Sequence, residues 1–144
     1  MNPSLLRDDT GSTAVELALL APVAVALLCL LVAGFRISIA GDRITGVAAS
    51  AARDASIARN PGDAQARATS AAQAALADAN FHCTNVAVVV DVSGFLAPPG
   101  APATIRVDVS CDVPLADLGL PGVPGVKTLT DHATSPLDPG RDAP

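Results

Sequence analysis

The chain contains no Trp and no Tyr, and only three Phe among its 144 residues. A core poor in large rings must be built mostly from smaller side chains, here Ala and Val, and such a core buries little apolar area per residue. Any folded part is therefore small, and the length fits one small domain. Cations are scarce as well: eight Arg and a single Lys stand against 14 carboxylates, for a net charge of −5. That balance leaves no basic surface for nucleic acid. Paired metal-ligand spacings are missing: His82 and Cys83 are neighbours, while Cys111 and His132 are distant singles. No nucleophile elbow, phosphate loop or metal-binding helix is present. The Gly-rich "DLGLPGVPG" contains Pro and follows no strand–loop–helix order, so it reads as a loop. The expectation is a protein without catalytic residues, metal, cofactor or small-molecule substrate.

What the chain does have is one uninterrupted apolar run of 19 residues, Leu17 to Phe35. As a helix it would be roughly 28 Å long, close to the hydrocarbon thickness of a bilayer. Three readings are open. A cleaved secretory signal has a shorter apolar stretch behind a basic start; here the start is Arg7 diluted by Asp8 and Asp9, although Val32 to Gly34 would suit a small-residue cut. A plain membrane anchor is the second reading. The third is a prepilin-type signal, which accounts for more details. Residues 1 to 11 are short and polar after a small "LL" and end in Gly11; Glu16 then stands immediately before the run. A cut after Gly11 would make Ser12 the new N-terminus and Glu16 the fifth residue.

That arrangement resembles the type IV pilins and pseudopilins, in which a Gly precedes the cut and a Glu stands fifth. More specifically, "GSTAVELALLAPVAVALLCLLVAGFR" resembles the TadE-like minor pilins of the Flp/Tad pilus system, through Val15-Glu16, an early Pro22 and Arg36. The family usually has Phe after the Glu, where this chain has Leu17. The likeness covers residues 11 to 36 well and the remainder in outline. It implies partners: the membrane, a prepilin peptidase, the Tad secretion platform with its assembly ATPase, the major pilin and other minor pilins. It also implies a cytoplasmic N-terminus and a C-terminal domain outside the cytoplasmic membrane, with a place in the extracellular pilus open to it. The cation count at the two ends of the run leans the other way, with Arg7 before it and Arg36 and Arg43 after. The alternative is a single-pass anchored or secreted binding protein with a small extracytoplasmic module.

The chemistry offers Glu16 a role. A carboxylate at the edge of hydrocarbon is costly unless paired. The liberated amine of Ser12 on a neighbouring copy would pair with it and set the axial register between helices; the bland alternative is a carboxylate solvated among headgroups. Pro22 removes the hydrogen bond to the Ala18 carbonyl and predicts a kink or a loosened turn.

Beyond the run, Ile37, Ala40, Ile44, Val47, Ala48, Ala51, Ala55 and Ala58 recur at helical steps, with Asp42, Arg53 and Ser56 opposite and Ile57 off the stripe. Gly41 and Gly46 weaken this stretch. The break falls at "NPGD", where Asp63 reads as the N-cap of a second, Ala-rich helix over about Ala64 to Ala79. The period then changes to two. Val86, Val88, Val90 and Val92 share one face; Ile105, Val107, Val109, Cys111 and Val113 share another, opposite Thr104, Arg106, Asp108, Ser110 and Asp112. The Gly/Pro-rich "GFLAPPGAPA" between them predicts a wide antiparallel hairpin. A polar third strand near Lys127 to Ser135 would lie at an edge.

The expected class is α+β and pilin-like: a long N-terminal transmembrane helix, a second Ala-rich helix and an antiparallel sheet of two or three strands. The boundaries read as a leader over 1–11, a helix over 12–59 that crosses the membrane over 17–35, an α+β domain over 63–135 and a disordered tail over 136–144. Cys83 precedes the first strand and Cys111 lies on the inward face of the second, so the two can reach disulfide distance across the hairpin. A bond there would constrain the unfolded chain by roughly 3 kcal/mol; two buried thiols are the alternative. Cys29, inside the run, is a small hydrophobe.

Overall fold

The computed structural model describes residues 10–80, 82–98, 100–120 and 122–139, with side chains from residue 15 onward. The elements in chain order are α1 (Thr10–Ser56), α2 (Pro61–Asp78), β1 (Asn85–Asp91), a 3-10 turn (Ser93–Leu96), β2 (Thr104–Pro114) and β3 (Val126–Pro136). This is the expected α+β class. The chain divides into two units, Met1–Phe35 and Arg36–Pro144.

In the first unit every residue from Val15 to Val32 is exposed, including Leu17, Leu19, Leu30 and Leu31. The helix is long and apolar enough to cross a membrane once. A continuous helix satisfies its own backbone, which is what a segment in hydrocarbon requires. It runs without a break through Pro22.

The second unit is built on small residues. Ile44, Val47, Ala48, Ala51, Ala52 and Ala55 of α1 belong to one buried cluster with Ala64, Ala68, Ala72 and Leu76 of α2. This is the stripe the helical spacing predicts, widened by Ala52. Ile57 lies past the end of α1 and is exposed. Ser56, expected on the polar side, is instead buried. Its Oγ donates to the Arg53 carbonyl at 2.7 Å, so the hydroxyl is satisfied inside the helix and costs little to bury.

The start of α2 differs from expectation. The N-cap is Asn60, whose Oδ1 accepts from the Asp63 amide at 2.8 Å, and Pro61 takes the first helical position, where its missing N–H costs nothing. Asp63 lies one turn in and pairs with Arg67 at 2.9 Å. At the far end Asn80 adopts φ 55, a left-handed position that Asn tolerates after a helix.

The sheet has three antiparallel strands in the order β1-β2-β3. β2 is central, and its Ile105, Val107, Val109, Cys111 and Val113 are almost wholly buried in the same cluster as the helical alanines. Val88 and Val90 of β1 pack at its margin, whereas Val86 and Val89 are exposed. β3 is the edge strand its polar sequence predicts, although Leu129 turns inward. Two features depart from a plain loop and a plain tail. The β1–β2 connection contains the 3-10 turn, which buries Phe95. The segment after Pro136 is packed through residue 138: Leu137 is buried, its amide donates to the Ala103 carbonyl at 2.9 Å, and the Asp138 amide donates to the Ser56 carbonyl at 3.1 Å. The rest of the expected tail, residues 140–144, lies outside the described residues.

Candidate functional site

The residues singled out in the sequence fall into two places. Gly11 and Ser12 lie in the first turns of α1, one helical turn before Glu16, and the leader residues 1–9 lie outside the described residues. Glu16 is the only Glu of the chain. Its side chain is exposed, it heads the apolar run, and among the described residues it has no hydrogen-bond or ion-pair partner. Pro22 follows six positions later, leaving the Ala18 carbonyl without its usual amide donor. Cys29 is a free thiol exposed on the same helix.

The second place is the sheet. Cys83 and Cys111 form a disulfide, with 5.4 Å between their Cα atoms and 28 positions between them in the chain. The open choice between a bond and two thiols is thus decided for the bond. The register explains the reach. Val86 stands opposite Cys111, and the Thr84 amide donates to the Asp112 carbonyl at 2.8 Å, carrying the β1–β2 ladder one step past the strand toward Cys83.

The polar faces carry local charge chemistry but no cluster suited to a metal among the described residues. Arg106 holds Asp108 through two hydrogen bonds, Nε to Oδ2 at 3.1 Å and Nη2 to Oδ1 at 2.8 Å; this keeps the Asp108 carboxyl below the usual carboxylate range. The Asp131 carboxyl is likewise lowered, first by the Thr45 hydroxyl that donates to it and then by the His132 amide. Asp91 is lowered by the Ser93 amide, which donates to its Oδ1 at 2.9 Å and closes the turn after β1. Each is a structural device at the surface, and none sits in an enclosed cavity.

One feature escaped sequence reasoning. A cleft of about 260 Å³ opens beside α1 in the second unit, lined by Arg36, Arg43, His82 and Asp117 over a floor that includes Val113 and Leu118. Arg36 and Arg43 are spaced by seven, two helical turns apart on one face, and that interval is the one signal in the sequence that could have found it. His82 and Asp117 come from segments that sequence alone leaves as loops.

The fold and these sites define a class: a chain with, among its described residues, one candidate membrane span and a disulfide-bonded α+β domain. Comparisons with family models, with curated proteins and with solved structures return no match.

Proposed function

We propose that this chain is a minor pilin or pseudopilin of the TadE-like kind, cut after Gly11 and taking part in the assembly of a Flp/Tad-type pilus or in its adhesion. The observation that carries the reading is Glu16: a lone carboxylate, five positions after a Gly, exposed at the head of an apolar helix and without a partner among the described residues. A charge placed there is stabilised when a neighbouring copy brings an ammonium to it. The amine released at Ser12 is such a group, and pairing it with Glu16 of the next helix sets the stagger between subunits.

Two further features support the reading. A long apolar helix that continues into a small helix-and-sheet domain is the plan the resemblance implies. The Cys83–Cys111 disulfide favours an oxidising compartment, hence a domain outside the cytoplasmic membrane and a cytoplasmic N-terminus. On this reading the partners are a prepilin peptidase, the secretion platform and its ATPase, the major pilin and other minor pilins.

N-terminal sequencing of the membrane-extracted protein tests it. The expected start is Ser12, and a bulky residue at Gly11 is expected to leave the leader attached. Glu16→Ala is expected to be trimmed normally yet to lose incorporation into the assembled system. A start at Met1 supports a plain anchored binding protein, and a start near Phe35 supports a secreted one; either result ends the pilin reading.

A further inference from the structure

The cleft beside α1 has a charge pattern that the described residues leave unbalanced. Arg36 has no hydrogen bond or ion pair to any described residue, and Arg43 donates only one, from Nη1 to the Ala79 carbonyl at 3.2 Å. Each guanidinium keeps several N–H groups unspent. The one carboxylate in the cleft, Asp117, has its Oδ2 3.8 Å from Nδ1 of His82, which lines the same cleft. Two cations thus face a concavity with an apolar floor, and among the described residues neither forms an ion pair.

Position in the chain narrows the kind of anion that would suit them. Arg36 is the residue that follows the apolar run, and a helix advances roughly 1.5 Å per residue, so its Cα leaves the hydrocarbon with the end of that run. The opposite wall of the cleft comes from the segment between β2 and β3, which the Leu115 amide closes by donating to the Gly125 carbonyl at 3.0 Å. Gly119 of that segment lies against the Arg36 side chain: a Cβ there would come within 2.9 Å of Cδ. The same segment holds a single charge, Asp117, and exposes Val123, with Val126 exposed just beyond it. Two guanidiniums over an apolar floor that includes Val113 and Leu118 fit a group that is anionic at one end and apolar at the other. An inorganic anion would use the charges and leave that apolar floor in water. An acidic peptide would have no claim on the first turn beyond a membrane segment.

We infer that this cleft binds the phosphate of an anionic lipid headgroup, with Arg36 and Arg43 as its donors. Guanidinium and phosphate match in charge and in planar hydrogen-bonding geometry. The inference rests on α1 crossing a bilayer and is independent of any role in pili.

The test uses the full chain in nanodiscs of phosphatidylcholine, with and without a minority of phosphatidylglycerol. The readout is the Arg36 and Arg43 Nε–Hε resonances and the lipid that stays with the protein on extraction. Phosphatidylglycerol is expected to shift both resonances and to be enriched in the retained lipid. Arg36→Gln and Arg43→Gln are each expected to weaken retention about tenfold. Asp117→Asn is expected to strengthen it, a gain that misfolding cannot mimic. Equal shifts from inorganic phosphate in phosphatidylcholine alone would identify a free-anion site and overturn the lipid assignment. Stronger shifts from a soluble Asp-rich peptide would assign the cleft to a protein partner and overturn it too. Failure of the chain to enter the disc refutes the span and the inference with it.

Discussion

Gly94 and Leu137 stand against each other with no room for a side chain between them. A Cβ on Gly94 would lie 2.8 Å from Leu137 Cδ1 and would overlap the Thr104 carbonyl oxygen. The turn after β1 and the segment after β3 thereby close the same corner of the core, where Phe95 and Leu137 are both buried. Thr104 O is backbone and cannot step aside. Gly94→Ala is therefore expected to destabilise the domain by about 1–3 kcal/mol through overpacking, measured by chemical denaturation. An unchanged midpoint would mean that the corner is looser than these distances describe.

The helical glycines predict the opposite sign. A Cβ at Gly46 would meet nothing within 4 Å, and the residue is exposed in the middle of α1. Gly46→Ala removes backbone freedom from the unfolded chain without a steric cost, and is expected to stabilise by about 0.5–1 kcal/mol. A thermal melt of the purified variant checks this; a lower melting temperature would reveal that position 46 is covered by a contact outside the single chain.

Reduction of the disulfide should matter more than either. The Cys83–Cys111 link closes 28 positions of chain, for which the loop-entropy account gives about 3–4 kcal/mol. A core of Ala and Val leaves little reserve against that loss. Cys83→Ser combined with Cys111→Ser is expected to lower the unfolding free energy by that amount, and the wild type under reductant should behave in the same way. Coincident denaturation curves for oxidised and reduced protein would refute the account.

Acid should weaken the domain in a defined window. Asp108, Asp131 and Asp91 all have folded pKa values below the unfolded value, through Arg106, Thr45 and the Ser93 amide respectively. A depressed folded pKa gives stability that is complete above the unfolded pKa, near about 3.9, and is lost as pH falls through the folded value. Melting temperature is expected to be unaffected by these groups between neutral pH and about pH 5 and to drop below about pH 4. Asp108→Asn and Asp131→Asn should each flatten that drop. An acid limb identical in all three proteins would show that other carboxylates govern it.

At the N-cap of α2, local signal and outcome differ. Asn60 and Asp63 both suit a cap; Pro61 settles the choice, because Pro is most at home at the first helical position and so puts the cap at Asn60. Asn60→Ala is expected to cost about 1 kcal/mol, and Asp63→Ala less, read from the same denaturation assay.

Periodicity made most of the elements legible. The three-four spacing of Ile44, Val47, Ala48, Ala51 and Ala55 and the strict alternation from Ile105 to Val113 each mark a buried face, because a helix or strand repeats its side-chain direction at a fixed interval whatever it packs against. The membrane-length run and Glu16 at its head were equally plain, since length and charge are properties of the chain itself. Tertiary structure alone decided the rest. Phe95, Leu118 and Leu137 come from irregular or terminal segments with no period to betray which way they face, and all are buried. The burial of Ser56 followed from its hydroxyl finding an acceptor within its own helix, and the Cys83–Cys111 bond from a register that sets Val86 opposite Cys111. The two arginines of the cleft are seven apart in sequence, but His82 and Asp117 join them only through the folding of the sheet, because contacts between distant segments follow from packing and not from local pattern.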